Sequence, residues 1–110
     1  MKPQSVIVAL AALAQESRLA LYRLLVKRGP EGYTPGEISE RLDIPAPTLS
    51  FHLKTLTAAG LIEVRRDGRN LYYGVSIGKM DQIVEFLTDH CCSLASGGAA
   101  AGCRPSRGVA

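Results

Sequence analysis

Apolar residues recur along this chain with two different periods, and the change between them falls at Gly60. From Pro47 to Gly60 the spacing is helical. Leu49, Leu53 and Leu56 fall at i, i+4 and i+7, while Thr48, Ser50, His52, Lys54 and Thr55 take the other faces. Pro47 suits a first helical turn, where its missing N–H would be unpaired anyway. Gly60 can adopt the left-handed conformation that ends a helix. The pattern predicts a helix over 47–60 that buries leucines and presents short hydrogen-bonding groups and a cation. Beyond Gly60 the period is two: Ile62 and Val64 alternate with Glu63 and Arg65, and Leu71, Tyr73 and Val75 alternate on the return. Between these runs lies Arg65-Arg66-Asp67-Gly68-Arg69-Asn70, in which Asp-Gly is a strong hairpin signal and three arginines surround the tip.

Upstream, residues 4–14 are apolar on nearly every side, with Val6, Leu10 and Leu13 in one stripe and Ile7, Ala11 and Ala14 in a second. A small chain has little interior in which to bury both, so this helix is expected to form a subunit interface. A second helix, Arg18 to Lys27, turns Leu21, Leu24 and Leu25 inward and Arg18, Arg23, Lys27 and Arg28 outward, and Gly29-Pro30 ends it. Thr34-Pro35-Gly36-Glu37 is a capping box that opens a short helix with Ile38 and Leu42 inward. The prolines of Ile44-Pro45-Ala46-Pro47 forbid its continuation into the helix at 47–60. Two such helices across a tight turn make a helix-turn-helix, and the cationic hairpin directly after them makes it winged. Arginines at a wing tip neutralise phosphates or enter a minor groove. Ser76 is expected to cap a last helix, Ile77 to Cys92, with Met80, Ile83, Val84, Phe86 and Leu87 apolar. The fold class is therefore mainly α with a small β-hairpin. Residues 1–92 form the winged helix-turn-helix domain, and 93–110 form a Gly-, Ala- and Ser-rich tail expected to be flexible.

Length and composition narrow the class. At 110 residues the chain is one domain, and 46% hydrophobic with 21% charged residues is ordinary for a globular protein. No apolar run approaches the ~20 residues of a membrane span, and Met1-Lys2-Pro3 lacks the layout of a signal peptide. A cytoplasmic protein with no membrane partner is expected. A net charge of +3 suits an anionic partner without requiring one. The three cysteines, Cys91, Cys92 and Cys103, all lie after residue 90. An odd number clustered late is a poor disulfide framework and a better ligand set or redox site.

From the second helix through the wing, the chain resembles the ArsR/SmtB family of bacterial winged-helix repressors. The match is carried by Arg18-Leu19 with Leu24-Leu25, by Ile38-Ser-Glu-Arg-Leu42 and by Leu49-Ser-Phe-His-Leu-Lys-Thr-Leu56. It continues in Ala59-Gly-Leu-Ile62 and Arg66-Asp-Gly-Arg-Asn-Leu-Tyr-Tyr73. With its flanking helices the resemblance spans about residues 5 to 90. It implies a homodimer built on the first and last helices, double-stranded operator DNA as partner, and release of that DNA when an inducer binds. Two inducer sites known in the family do not fit: no cysteine lies between residues 31 and 48, and Asp81, Glu85, Asp89 and His90 offer a single imidazole at the wrong spacing for zinc.

The terminal cysteines remain. A vicinal pair such as Cys91-Cys92 rarely closes into a disulfide, because the small ring strains the peptide between them. Three thiolates on one soft ion is a more natural use. Trivalent arsenic or antimony accepts three sulfurs in a pyramid, whereas zinc prefers four ligands. Returning Cys103 to the pair costs about 2 kcal/mol of loop entropy. Such a cluster also resembles the arsenic site of some ArsR repressors. His90 is read as a helix-end cation, with a fourth-ligand role as the alternative. The expected function is a metalloid-responsive repressor and not an enzyme, with As(III) or Sb(III) as inducer at Cys91, Cys92 and Cys103 and no catalytic cofactor. Thr48, Ser50, His52, Lys54, Arg66 and Arg69 are the expected DNA contacts. A repressor of the same fold that answers to thiol oxidation or persulfide is the alternative. A small thiol enzyme lacks the accompanying Cys-x-x-Cys, nucleotide loop or acid–base pair. A winged helix that binds protein is the third reading.

Overall fold

The computed structural model describes residues 1–95. The helical pattern before Gly60 and the alternation after it become α1 (Pro3–Leu13), α2 (Glu16–Arg28), α3 (Pro35–Leu42), α4 (Ala46–Ala58), the strands β1 (Ile62–Asp67) and β2 (Asn70–Val75), and α5 (Ile77–Thr88). Leu49, Leu53 and Leu56 of α4 are buried together with Val6, Leu21, Leu25, Ile38, Leu61, Ile62 and Ile83 in one core. Among the described residues no single helix is long and apolar enough to cross a membrane. Leu56 has no exposed surface, so Leu56→Ala removes buried methyl groups and leaves a cavity, at a cost of about 2–5 kcal/mol. Urea unfolding checks this; a loss of less than about 1 kcal/mol would show that α4 does not anchor the core.

Local chemistry sets the entry and exit of the helix-turn-helix. The Thr34 N–H donates to Glu37 Oε1 at 2.9 Å and the Glu37 N–H donates to Thr34 Oγ1 at 3.3 Å, closing the capping box. The hydrogen bond from the Thr34 backbone holds the Glu37 carboxyl below its usual range. Asp43 takes the left-handed conformation (φ 56°) that ends α3, and the Ser39 hydroxyl donates to the Ile44 carbonyl across the turn. At the end of α4 the Gly60 N–H donates to Thr57 O (2.9 Å) and the Leu61 N–H to Leu56 O (3.1 Å), with Gly60 at φ 79°. This double bond pattern seals the helix and redirects the chain into β1.

The hairpin pairs Ile62 with Val75 through to Asp67 with Asn70. Its two-residue loop is therefore Gly68-Arg69, one position later than the Asp-Gly reading, with Gly68 (φ 67°) at the first central position. A turn with glycine there matches the twist of the strands, and Asp67 stays in the ladder. Tyr33 joins β2 as a third, single-residue strand through two hydrogen bonds with Tyr73 (3.0 and 2.8 Å). Gly32 permits this approach, because a Cβ there would lie 2.6 Å from the Tyr73 carbonyl oxygen.

Three local expectations are corrected. α1 packs through Val6, Ala9 and Ala12, so the Val6, Leu10 and Leu13 stripe is split, with Leu13 partly packed on the core and Leu10 exposed. Ser76 makes no side-chain cap, although its carbonyl accepts from Lys79 and Met80. α5 stops at Thr88 rather than Cys92. The Thr88 hydroxyl bonds back to Val84 O at 2.9 Å, and among the described residues none beyond Phe86 packs against the core to hold another turn. The residues of the tail beyond 95, including Cys103, lie outside those described.

Candidate nucleic-acid interface

α4 and the hairpin converge on one side of the molecule. Ser50, Lys54 and Thr57 of α4 line a depression of ≈ 430 Å³ with Pro35, Val64 and Tyr73. Alternation along β1 puts Arg66 on the same strand face as Val64, and Arg65 on the opposite face. Arg65 is engaged there. Its Nη2 donates to Glu31 O at 3.0 Å, and its guanidinium lies 4.8 Å from the Tyr72 ring centre. Arg66 and Arg69 are exposed, as are Thr48, Ser50 and Lys54. The arrangement combines two wing cations, one helix cation and two hydroxyls. These groups suit a polyanion whose backbone runs past the wing while its groove receives α4.

His52 departs from the expected set. It is only 7% exposed and faces inward, so it is withdrawn from the groove contacts. Arg18, read as an outward cation, turns in to meet it. The Arg18 Nε–H donates to Ala12 O at 2.6 Å, and Nη1 lies 3.4 Å from His52 Nδ1. Guanidinium only donates, so Nδ1 is the acceptor and the ring is neutral, an assignment inferred from the partner. These contacts tie the end of α1, the start of α2 and the middle of α4 together. Burial, and then the Arg18 charge, hold His52 below its ordinary value of 6.5. The unfolded chain therefore binds more protons than the folded one below about neutral pH. The stability contributed by neutral His52 is present above 6.5 and is lost as the pH falls through the lowered folded value. Unfolding at pH 7.5 and pH 5.5 is expected to show a larger loss on acidification for the wild type than for His52→Asn, which keeps an acceptor but does not titrate. Equal losses would show that His52 does not report this burial.

Cys91 and Cys92 lie just past the end of α5. His90 (φ 60°) and Cys92 (φ 64°) both take left-handed backbone conformations, in a turn where the Cys91 N–H donates to Thr88 O at 3.0 Å. Cys91 is exposed and Cys92 half-buried, with their sulfurs 3.7 Å apart. Two sulfurs bonded to one soft ion at about 2.3 Å each stand at most ~4.6 Å apart, so the pair fits one such ion. Among the described residues no group of three His, Cys, Asp or Glu side chains converges. The His90 ring, past the helix end, stands 3.6 Å from the Asp89 carboxylate, an exposed pair.

The model of a helix-turn-helix domain family matches residues 13–65. YceK of Bacillus subtilis, named an uncharacterized helix-turn-helix transcriptional regulator, is 46% identical over 56% of this chain and 60% of its own length. The biofilm growth-associated repressor of Agrobacterium fabrum is 32% identical over 80% of this chain and 73% of its own. The probable mercury resistance operon repressor of Streptomyces lividans is 34% identical over 84% and 69%. Among solved structures, HlyU from Vibrio cholerae superposes with a TM-score of 0.64 at 27% identity, covering 88% of this chain and all of that one. The homodimeric winged helix-turn-helix domain of Mb0332 from Mycobacterium bovis, described as a possible ArsR-family regulator, superposes at 0.63 with 26% identity over 79% and 81%. The chain belongs to the ArsR/SmtB family of winged helix-turn-helix transcriptional regulators. Members of that family bind DNA, and the matched relatives are regulators rather than enzymes, which removes the thiol-enzyme reading.

In this ArsR/SmtB regulator two groups escape a reading of the sequence. Helical spacing within α2 places Arg18 among the outward cations, although its side chain reaches Ala12 O and His52. Phe51 draws no attention beside its leucine neighbours, although it is 63% exposed in the middle of the outward face of α4. The angles of residues 51 and 52 on α4 hold the missing signal. His52 lies three residues after Leu49 and four before Leu56, on the buried arc. Phe51 lies four after Pro47 and three before Lys54, on the open one.

Proposed function

We propose that the chain is a homodimeric repressor that holds operator DNA until a soft thiophilic inducer binds Cys91, Cys92 and Cys103. The inducer assigned is As(III), with Sb(III) as its chemical neighbour. The observation that carries the DNA reading is the shared depression, which gathers Ser50 and Lys54 of α4 beside the strand face that bears Arg66. Homodimerisation is supported by apolar residues left in water. Ile7, Val8 and Leu10 of α1 and Ile77 and Leu87 of α5 are exposed, and α5 buries only Ile83 fully. Met1, just before α1, lines one depression with Gln82 and Phe86 of α5. A second subunit set against these exposed residues places one α4 in each half of an imperfect palindrome, about one or two helical turns apart.

The inducer reading is supported by the sulfur pair. Arsenous acid and three thiols condense to a tris-thiolate arsenic(III) with loss of three waters, and no electron changes hands. Cys91 and Cys92 lie where α5 ends, next to the surface assigned to the partner subunit. Pulling that segment toward Cys103 shifts the dimer away from the spacing the operator requires, and the inducer acts by binding the released form more tightly. The name of the Streptomyces relative refers to mercury, another thiophilic element, which favours a soft-ion signal. A redox signal is the second reading, favoured by the exposure of Cys91 and the proximity of the two sulfurs. Titration of operator-bound, reduced protein with arsenite, antimonite, zinc, cadmium and peroxide, followed by fluorescence anisotropy of the DNA, separates the two. Release by arsenite at stoichiometric, micromolar concentration supports the assignment; release by peroxide alone transfers it to oxidation.

A further inference from the structure

Phe51 is the large apolar side chain left exposed on α4, and its surroundings are polar. Pro47, Phe51, Lys54 and Ala58 run along the centre of the outward face, with Pro47, Phe51 and Lys54 exposed. Thr48 flanks Phe51 on one side, and Ser50 lies on the other. The Phe51 ring is tilted at 60° to the neighbouring His52 ring, with centroids 6.0 Å apart. It is not among the residues lining the depression beside the wing. Its face of α4 is also turned away from the packed leucines, so it adds little to the fold. A phenylalanine held this way has its apolar surface available to whatever α4 enters.

The major groove of B-DNA offers one apolar group on a base edge, the C5-methyl of thymine. Ser50 and Lys54 beside the ring offer only polar contacts to phosphate and base edges, and Thr48 adds a single γ-methyl, so the Phe51 ring is the large apolar surface on this face of α4. We propose that Phe51 reads a thymine methyl in each operator half-site and is a specificity-determining residue of this regulator. This rests on the reading that α4 enters the major groove. One methyl buried against the ring corresponds to about fourfold in affinity, and two half-sites to roughly fifteenfold.

The test removes the methyl and nothing else. The operator is first located by footprinting the full chain on the DNA flanking its own gene. Each thymine of both half-sites is then replaced by deoxyuridine, and affinity is read by anisotropy for the wild type, Phe51→Ala and Phe51→Leu. One symmetric thymine is expected at which deoxyuridine weakens wild-type binding roughly fifteenfold, Phe51→Leu binding by less, and Phe51→Ala binding not at all. Wild-type protein that binds its operator but tolerates deoxyuridine everywhere overturns the assignment alone. The same penalty in Phe51→Ala also overturns it, by giving the methyl contact to another side chain. Failure to bind any duplex overturns the major-groove reading and this assignment with it.

Discussion

Replacing Arg66 and Arg69 together by alanine is expected to weaken operator binding roughly a hundredfold at physiological salt while leaving the fold intact. Both side chains are exposed, so their removal opens no cavity. Each exposed phosphate contact contributes on the order of 1 kcal/mol or less, and a dimer gives up four of them. The sum of about 3 kcal/mol corresponds to that hundredfold. Because phosphates carry no sequence information, the loss should be similar on operator and on unrelated DNA. Arg65→Ala is the internal control. Its side chain lies on the other strand face, engaged with Glu31 O and Tyr72, and its removal should cost far less. Anisotropy titrations of the two variants on both duplexes measure this. A loss confined to the operator would mean that the wing reads bases; equal losses for the Arg65 and Arg66–Arg69 variants would mean that the strand face does not determine DNA contact.

Cys92→Ser is expected to bind the operator with wild-type affinity and to lose arsenite-driven release almost completely. The cysteine pair lies past the end of α5, far along the chain from α4 and the wing, so DNA contacts are untouched. A tris-thiolate reduced to two sulfurs exchanges its third bond for water. The inducer must favour the released state about 10⁴-fold to switch the population fully, and a weakened site cannot supply that difference. Cys91→Ser should behave alike, and Cys103→Ser tests the third sulfur. Arsenite release measured on wild type and the three variants decides the matter. A Cys92→Ser protein still released at micromolar arsenite would place the inducer elsewhere.

The parts legible in the sequence are those that local chemistry dictates. Leu49, Leu53 and Leu56 repeat at helical spacing, Thr34 and Glu37 can satisfy each other's backbone without help from the rest of the chain, and Gly60 ends α4 whatever packs against it. The wing follows from alternation, although its turn lies one residue later than expected because both Asp67-Gly68 and Gly68-Arg69 can close it. What is not legible depends on partners distant in sequence. Residues 18 and 52 are both polar, and although the spacing from Leu49 and Leu56 puts residue 52 on the buried arc, nothing local reveals that the two side chains meet. Likewise, the end of α5 depends on Phe86 being the last of the described residues to pack on the core, which only the assembled fold displays. Phe51 is obscured for the opposite reason, since a phenylalanine among leucines reads as core until its angle on the helix is drawn.

The most direct test of a two-fold DNA clamp built from α4 and the wing is the salt dependence of operator affinity, measured from about 50 to 200 mM for the wild type and for Arg66→Ala with Arg69→Ala. A steep wild-type dependence is expected, with two chains bound per operator. The slope of log affinity against log salt should be shallower in the variant by about 0.9 for each phosphate left without its arginine, close to four units for the dimer. Equal slopes for the two proteins, or an affinity indifferent to salt, would contradict it.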